Sequence, residues 1–304
     1  MKKVTRGPLV LNSISAMHRA MEIPEPEHPL VSIVNFSDVK SHDEIIKDGL
    51  LLNVYMIAIK KDFKGKIKYG QSNYDFDEGM MSFIAPGQIC YQNEPGYDPL
   101  AGSMLIFHPD YLRGYALDKN IKSFEFFSYS ANEALYLSKK EEDMIMGIFE
   151  SIAQEYHNNI DNFSHDVIVS HIELLLTYSN RFYNRQFLTR KIVNNDLLIK
   201  LEDTLNEYFN NGTTLGLPTV KELAEKLNVS ASYLSDMLRS HTGQNAQQHI
   251  HNKLIEKAKE VLTTTPLSVS EIAYQLGFEY PQSFSKLFKT KTNVSPLEYR
   301  KLFN

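Results

Sequence analysis

Ser270-Glu-Ile-Ala-Tyr-Gln-Leu-Gly-Phe278, followed by Pro281-Gln-Ser-Phe-Ser-Lys-Leu-Phe-Lys289, is the stretch that decides how this chain is read. Ser268 with Glu271 three residues later is a capping box, in which hydroxyl and carboxylate satisfy N–H groups left unpaired at a helix start. Gly277 marks a turn where a left-handed backbone costs nothing. Pro281 suits the first turn of the next helix, where its missing N–H is harmless. In that second helix Phe284, Leu287 and Phe288 share one face, and Gln282, Ser285, Lys286 and Lys289 share the other. The pattern is helix, tight turn, helix.

Moving outward toward the N-terminus, the same pattern recurs. Leu223-Ala224 match Ile272-Ala273 at an offset of 49, while Leu234, Leu238 and Gly243 match Phe284, Phe288 and Asn293 at an offset of 50. One residue has therefore entered at the turn. Thr219 and Glu222 form the earlier capping box, Leu223, Ala224, Leu227 and Val229 form its apolar side, and Asn228 takes the turn position. Small Ala224 and Ala273 let the second helix cross closely. Ser230 caps a helix that buries Leu234, Met237 and Leu238 and shows Ser232, Ser235, Asp236 and Arg239. A continuous helical pattern from Asn245 to Leu262 joins the copies. At about 1.5 Å per residue it sets the outward helices roughly 25–35 Å apart, close to one turn of B-DNA. A last short helix opens at Ser295-Pro296.

These residues resemble the AraC/XylS family of bacterial transcription regulators. The resemblance rests on the Ile272-Ala273 pair, the Gly277-Phe278 turn, Phe284-Ser-Lys-Leu-Phe-Lys289 and Pro296 with Tyr299-Arg300. The first unit matches more loosely, through Leu223-Ala224, Ser230, Tyr233-Leu234, Gly243, Ala258 and Leu262. It covers about the last 110 residues. Three positions depart from the pattern: Asn293 stands for a glycine, Lys253-Leu254 for Arg-Leu, and Asp236 for a basic or polar residue. The resemblance implies double-stranded DNA as partner, a homodimer, a cytoplasmic setting, an activator role with RNA polymerase as a further partner, and a small-molecule effector at a cupin-like N-terminal domain.

From the outward faces, Ser232, Ser235, Asp236, Gln282, Ser285 and Lys286 are expected to read bases, and Arg239, Lys289, Lys291 and Arg300 to hold phosphates. Asp236 is read as an acceptor for a cytosine amino group; the alternative is that its charge weakens the first half of the interface. Charge supports this unevenly. The chain carries 32 basic and 37 acidic residues, a net charge of −5. From Asn195 onward twelve basic residues balance twelve acidic ones, but after Tyr280 Lys286, Lys289, Lys291, Arg300 and Lys301 face only Glu298. The second unit is expected to anchor and the first to read.

The rest of the chain reads differently. Hydrophobic residues at 42% and charged residues at 23% are ordinary globular composition. Cys90 alone excludes an intrachain disulfide framework and Cys-based zinc fingers, and suits a reducing compartment. Leu9-Val10-Leu11 is too short for a signal-peptide core, and Leu50 to Ile59 is about half a membrane span, so no membrane partner is expected. Short strand-like runs at 54–59, 64–72, 80–85, 104–107 and 124–129, punctuated by Gly and Pro, suggest a sandwich or small barrel. Pro24 to Pro29 reads as an extended arm.

Beyond Leu137 the period becomes helical. Ser138 and Glu141 form a capping box before Met144, Ile148 and Ile152. A second helix from Ser164 carries Ile168, Ile172, Leu175, Leu176 and Tyr183. These stripes either meet a partner chain or pack on the β region. Arg181, Arg185, Arg190 and Lys191 read as a linker. The expected class is α+β with two domains: a cupin-like β-barrel or sandwich followed by helices, then an all-α domain with two helix-turn-helix units. The boundaries are a sensor domain at 1–135, a helical dimerisation and linker region at 136–194, and a DNA-binding domain at 195–304.

Two other classes compete with that reading. A cupin-type metalloenzyme needs clustered ligands, and His18, His28, His42 and His108 show no tight grouping, so neither metal nor cofactor nor catalysis is expected. Ser164-His165-Asp166 is a helix start, since neighbours on a helix do not converge as a triad must. His249 and His251, two apart on a helix, read as solvated surface, and Cys90 as a buried thiol. A ligand-binding protein with a helical C-terminal interaction domain would line a pocket with Tyr55, Tyr69, Phe83 and Phe107, covered by the arm at His28 and Pro29; the alternative is that these rings are core.

Overall fold

Apolar runs at 55–61 and 102–107 form the centre of a five-stranded antiparallel sheet. The structure, a computed structural model, describes residues 8–40, 50–61, 79–90, 101–130, 133–158, 161, 163–189, 191–210 and 216–302. It divides into two compact units, Met1–Gln186 and Phe187–Asn304. In the first, the strands are β1 (Leu9–Leu11), β2 (Val31–Asn35), β3 (Leu50–Leu52), β4 (Tyr55–Lys61), β5 (Gly79–Ile84), β6 (Gln88–Cys90), β7 (Gly102–Phe107) and β8 (Leu135–Leu137). They form one sheet in the order β2-β7-β4-β5-β8 and a smaller one in the order β1-β3-β6.

Both faces of the large sheet are covered. Ala58, Met104 and Ile106 pack with Leu11 and Leu52 of the small sheet and with Ile14 and Met17 of helix α1 (Ile14–Ala20). On the other face the register sets Tyr55 beside Phe107 and Ile57 beside Leu105. A strand buried on both sides reads as a continuous apolar run, which is why β4 shows little alternation.

Several expectations change here. The described strands make two open sheets and no closed barrel, so the cupin-like barrel is not what these residues show. Phe124 to Tyr129 is not a strand: Glu125–Ser128 is a 3-10 turn that points Phe126 and Phe127 into the core. It follows helix α2 (Ala116–Asn120). Helices α3 (Lys139–His157) and α4 (Ser164–Thr189) bury Ile145, Ile148, Phe149, Ile152, Ile168, Ile172, Leu175, Leu176 and Tyr183 within the chain itself. Of the expected stripe only Met144 is left outside, 42% exposed.

The division between the two units falls inside the expected linker stretch 181–191, but its first part is helix rather than loop. Arg181 and Arg185 lie inside α4, and Arg185 is clamped on Glu141, Nε to Oε1 at 3.0 Å, with Nη2 donating to the Tyr136 carbonyl at 2.8 Å. Arg190, Tyr69 and the stretch 64–72 lie outside the described residues, as does the Cys90 side chain. The expected arm carries no regular structure. The Glu27 N–H donates to the Tyr156 hydroxyl at 2.7 Å, and the His28 ring meets Tyr111 edge-on.

Among the described residues the second unit's regular elements are all helices: α5 (Lys191–Asn210), α6 (Val220–Lys226), α7 (Ala231–Thr242), α8 (Ala246–Thr264), α9 (Val269–Gln275), α10 (Pro281–Thr292) and α11 (Pro296–Lys301). Its spine is α8, which touches each of the other six helices and buries Ile250, Leu254, Ile255, Ala258, Val261 and Leu262. Nineteen residues make it about 28 Å long. Among the described residues no helix is long and apolar enough to cross a membrane.

Candidate nucleic-acid interface

The interface is built from two turns of the same construction. In the first, the Val229 N–H reaches the Ala224 carbonyl at 3.0 Å and the Asn228 N–H the Glu225 carbonyl at 3.1 Å. In the second, Phe278 reaches Ala273 at 2.9 Å and Gly277 reaches Tyr274 at 3.0 Å. Both are Schellman turns, which satisfy the last carbonyls of a helix through one left-handed residue. That residue is Asn228 at φ 56° and Gly277 at φ 91°.

Capping boxes open α6 at Thr219/Glu222 and α9 at Ser268/Glu271. The bonds from Thr219 and Ser268 hold the Glu222 and Glu271 carboxyls below their ordinary pKa. Ser230 caps α7, and Pro281 begins α10.

The repeat runs further than the two helices of each unit. Thr242 caps back on the Leu238 carbonyl and Thr292 on Phe288, both at 2.8 Å. Gly243 and Asn293 are left-handed, and Asn245/Gln248 and Ser295/Glu298 are capping boxes that open α8 and α11. Asn293 thus does what a glycine would do there.

Each second helix turns a polar face outward, and the two faces differ. On α7, Leu234, Met237 and Leu238 are buried, with Ser232 and Ser235 partly exposed. Asp236 is tied to Arg239 at 2.6 Å, its side chain only 18% exposed against 50% for Arg239. The pair largely cancels its own charge, and the carboxylate is turned to Arg239, which counts against Asp236 as a free acceptor for a base.

On α10, Phe284 and Phe288 are buried, Leu287 is partly exposed, Ser285 is partly exposed, and Gln282, Lys286 and Lys289 are exposed. Neither lysine forms an ion pair among the described residues. Tyr274 and Tyr280, 58% and 59% exposed, flank the second turn. The sequence offered one signal for Tyr280, a large aromatic just ahead of Pro281 with no periodic partner.

Besides Arg239, two more of the expected phosphate contacts are engaged elsewhere. Arg300 donates from Nε to the Leu262 carbonyl at 3.0 Å and from Nη2 to the Leu267 carbonyl at 2.6 Å. Its guanidinium caps the end of α8 and ties α11 to it, so Arg300 is a structural clamp and not a free phosphate fork. Lys291 is exposed but donates to Asn252 Oδ1 at 3.2 Å.

His249 and His251 are half-buried rather than fully solvated. His249 pairs with Thr242 at 2.8 Å, and His251 with Gln247 at 2.9 Å. Burial lowers both imidazole pKa values, and for His251 the Lys291 ammonium adds to it.

The expected effector-pocket rings are core. Tyr55 stacks on Phe107 with centroids 5.1 Å apart, Phe83 packs on Phe126 at 4.5 Å, and all three expected rings are at most 8% exposed. Three of the histidines considered as metal ligands have local partners: His18 bonds Ser32 and the Pro24 carbonyl, His28 accepts from the Leu30 N–H, and His108 from the Asp110 N–H, while His42 lies outside the described residues. His165 and Asp166 tie the start of α4 to Tyr111 and Tyr115. No group of three metal-binding side chains occurs among the described residues.

Comparison with known proteins gives the following. The family described as "Helix-turn-helix domain" matches residues 223–302. An uncharacterised HTH-type transcriptional regulator, YfiF of Bacillus subtilis, is 26% identical over 145 residues, 47% of this chain and 43% of that protein. The raffinose operon transcriptional regulatory protein RafR of Pediococcus pentosaceus is 36% identical over 83 residues, 27% of this chain and 30% of that one. The match therefore spans less than half the length of these curated relatives. A solved C-terminal domain of the two-component response regulator yesN from Fusobacterium nucleatum is 35% identical, covering 33% of this chain and 96% of that chain, with a TM-score of 0.29.

Proposed function

Since residues 223–302 are a helix-turn-helix domain of the AraC type, we propose that the chain is a sequence-specific transcription regulator that lays α7 and α10 into successive major grooves of double-stranded DNA. The observation that carries this is the pair of like-built turns joined by one stiff helix. Each turn presents a helix whose inner face is buried and whose outer face is polar. A spacer of about 28 Å falls near the ~34 Å pitch of B-DNA, as two-groove binding requires.

In this reading Lys289 anchors phosphate through α10, while Ser232, Ser235, Gln282, Ser285 and Lys286 meet base edges. Arg239 contributes less charge than its type implies because of Asp236. Activation through RNA polymerase, a homodimer and an effector at the first unit are the further parts of the proposal that the AraC-type domain supports by family likeness.

Selection of bound sequences from random DNA by the full chain tests the core of it. A two-part motif about one helical turn long is the expected result; recovery of no motif would sink the assignment. On the selected site, Lys289→Met should weaken binding on matched and unrelated DNA alike and make the salt slope shallower by about 0.9. A change of preference at a single base pair would contradict the anchoring role.

A further inference from the structure

Asn252 sits in the interior of α8, where asparagine is a weak helix former, and its side-chain amide is used at both ends. Nδ2 donates to Gln244 Oε1 at 2.8 Å, and Oδ1 accepts from Lys291 Nζ at 3.2 Å. An ammonium can only donate, so the Lys291 bond fixes which way the amide points. Gln244 lies just past Gly243, the left-handed cap that ends α7, and Lys291 is the penultimate residue of α10. The amide thus joins the C-terminal ends of the two probe helices across the spine.

Both ends are also held locally. The Gln244 N–H donates to Thr242 Oγ1 at 3.2 Å, and Thr242 Oγ1 lies 2.8 Å from His249 Nε2 on α8. Lys291 lies close enough to His251 to act on its titration. The repeat does not explain this link: the position 50 residues after Asn252 is Leu302, 70% exposed and past the end of α11. An amide at 252 is therefore peculiar to the junction.

We infer that Asn252 is a positioning residue that holds α7 and α10 in fixed register, so that the protein tolerates only one spacing between the two halves of its DNA site. The spine alone does not do this, because a side-chain bridge restrains each probe helix where it leaves its own packing. Lys291 keeps two further N–H donors for phosphate while the bridge stands. The inference rests on the two-groove reading above.

Two measurements test it separately from that reading. Spin labels at Ser232→Cys and Gln282→Cys, in a Cys90→Ser background, report the distance between probe helices in the DNA-free chain. Asn252→Leu should widen that distance distribution about twofold, and an unchanged width overturns the inference whether or not DNA is bound.

On the selected site, inserting or deleting one base pair between half-sites should cost the unmodified chain at least about tenfold in affinity. The same change should cost Asn252→Leu about threefold or less, with binding to an isolated half-site retained. An unaltered spacing profile, or an equal loss on the isolated half-site, also overturns it. Lys291→Met, at an exposed position, removes the α10 arm of the bridge together with a phosphate donor, so its affinity falls on every site and is compared only with its own affinity at the unaltered spacing. It should reproduce the loss of spacing discrimination if Asn252→Leu does not fold.

Discussion

The first helix-turn-helix unit, 219–242, and the second, 268–292, share a backbone plan down to the same pair of turn hydrogen bonds, yet their surroundings and charges diverge. In the first turn Asn228 supplies the left-handed residue. In the second only glycine fits: a Cβ on Gly277 would stand 2.4 Å from the Gly216 carbonyl oxygen, which also accepts from the Tyr208 hydroxyl at 2.8 Å. One plan has been placed in open surroundings and the other under a neighbouring backbone. On the outer faces, α7 ties its acid to its base while α10 leaves Lys286 and Lys289 without ion pairs among the described residues. Shared hydrogen bonding sets the shape of a unit, and its neighbours set what it tolerates and what it offers.

Exchanging the turn residues breaks the likeness most severely. Gly277→Asn should cost about 3–4 kcal/mol of stability in urea unfolding, from backbone overlap and strain at positive φ. Asn228→Gly should cost only a few tenths of a kcal/mol. Similar costs at both positions would mean that the Gly216 contact does not govern the second turn.

Next in size is the clamp that only the second copy possesses. Arg300→Met should lose about 2–3 kcal/mol of stability, because two carbonyls lose a charged donor. The salt slope of DNA binding should be unchanged for the folded variant; a shallower slope would return Arg300 to the phosphate contacts.

The smallest effect concerns the charge difference. Asp236→Asn frees Arg239 and should tighten binding to all DNA by about two- to fivefold, most at low salt. A loss confined to sites with one particular base pair would instead make Asp236 a base reader.

Much of the second unit was legible in the residues because its signals are local. Ser268 with Glu271, Thr219 with Glu222, and Pro281 act within one helical turn, and the left-handed positions at Asn228, Gly277 and Asn293 follow from backbone sterics. The first unit was legible only as β-rich followed by helical. Its sheet is covered on both faces, so β4 lacks the alternation that would have given its orientation, and Phe126 and Phe127 took β-like composition into a 3-10 turn. Arg181 and Arg185 read as linker because polarity resembles solvent exposure, whereas Arg185 is held by Glu141 from another helix.

By itself the sequence determined that two capped helix pairs stand 50 residues apart on a continuous helix, since caps, turns and apolar periods are interactions among near neighbours. Only the tertiary structure decided that Arg300 closes the end of α8, that Gly277 cannot be replaced where Asn228 can, that Tyr55, Phe83 and Phe107 pack as core, and that Asn252 joins the two probe helices. Each of these depends on atoms brought together from segments 8 to 100 residues apart, and no local period or spacing records which partner such a side chain will meet.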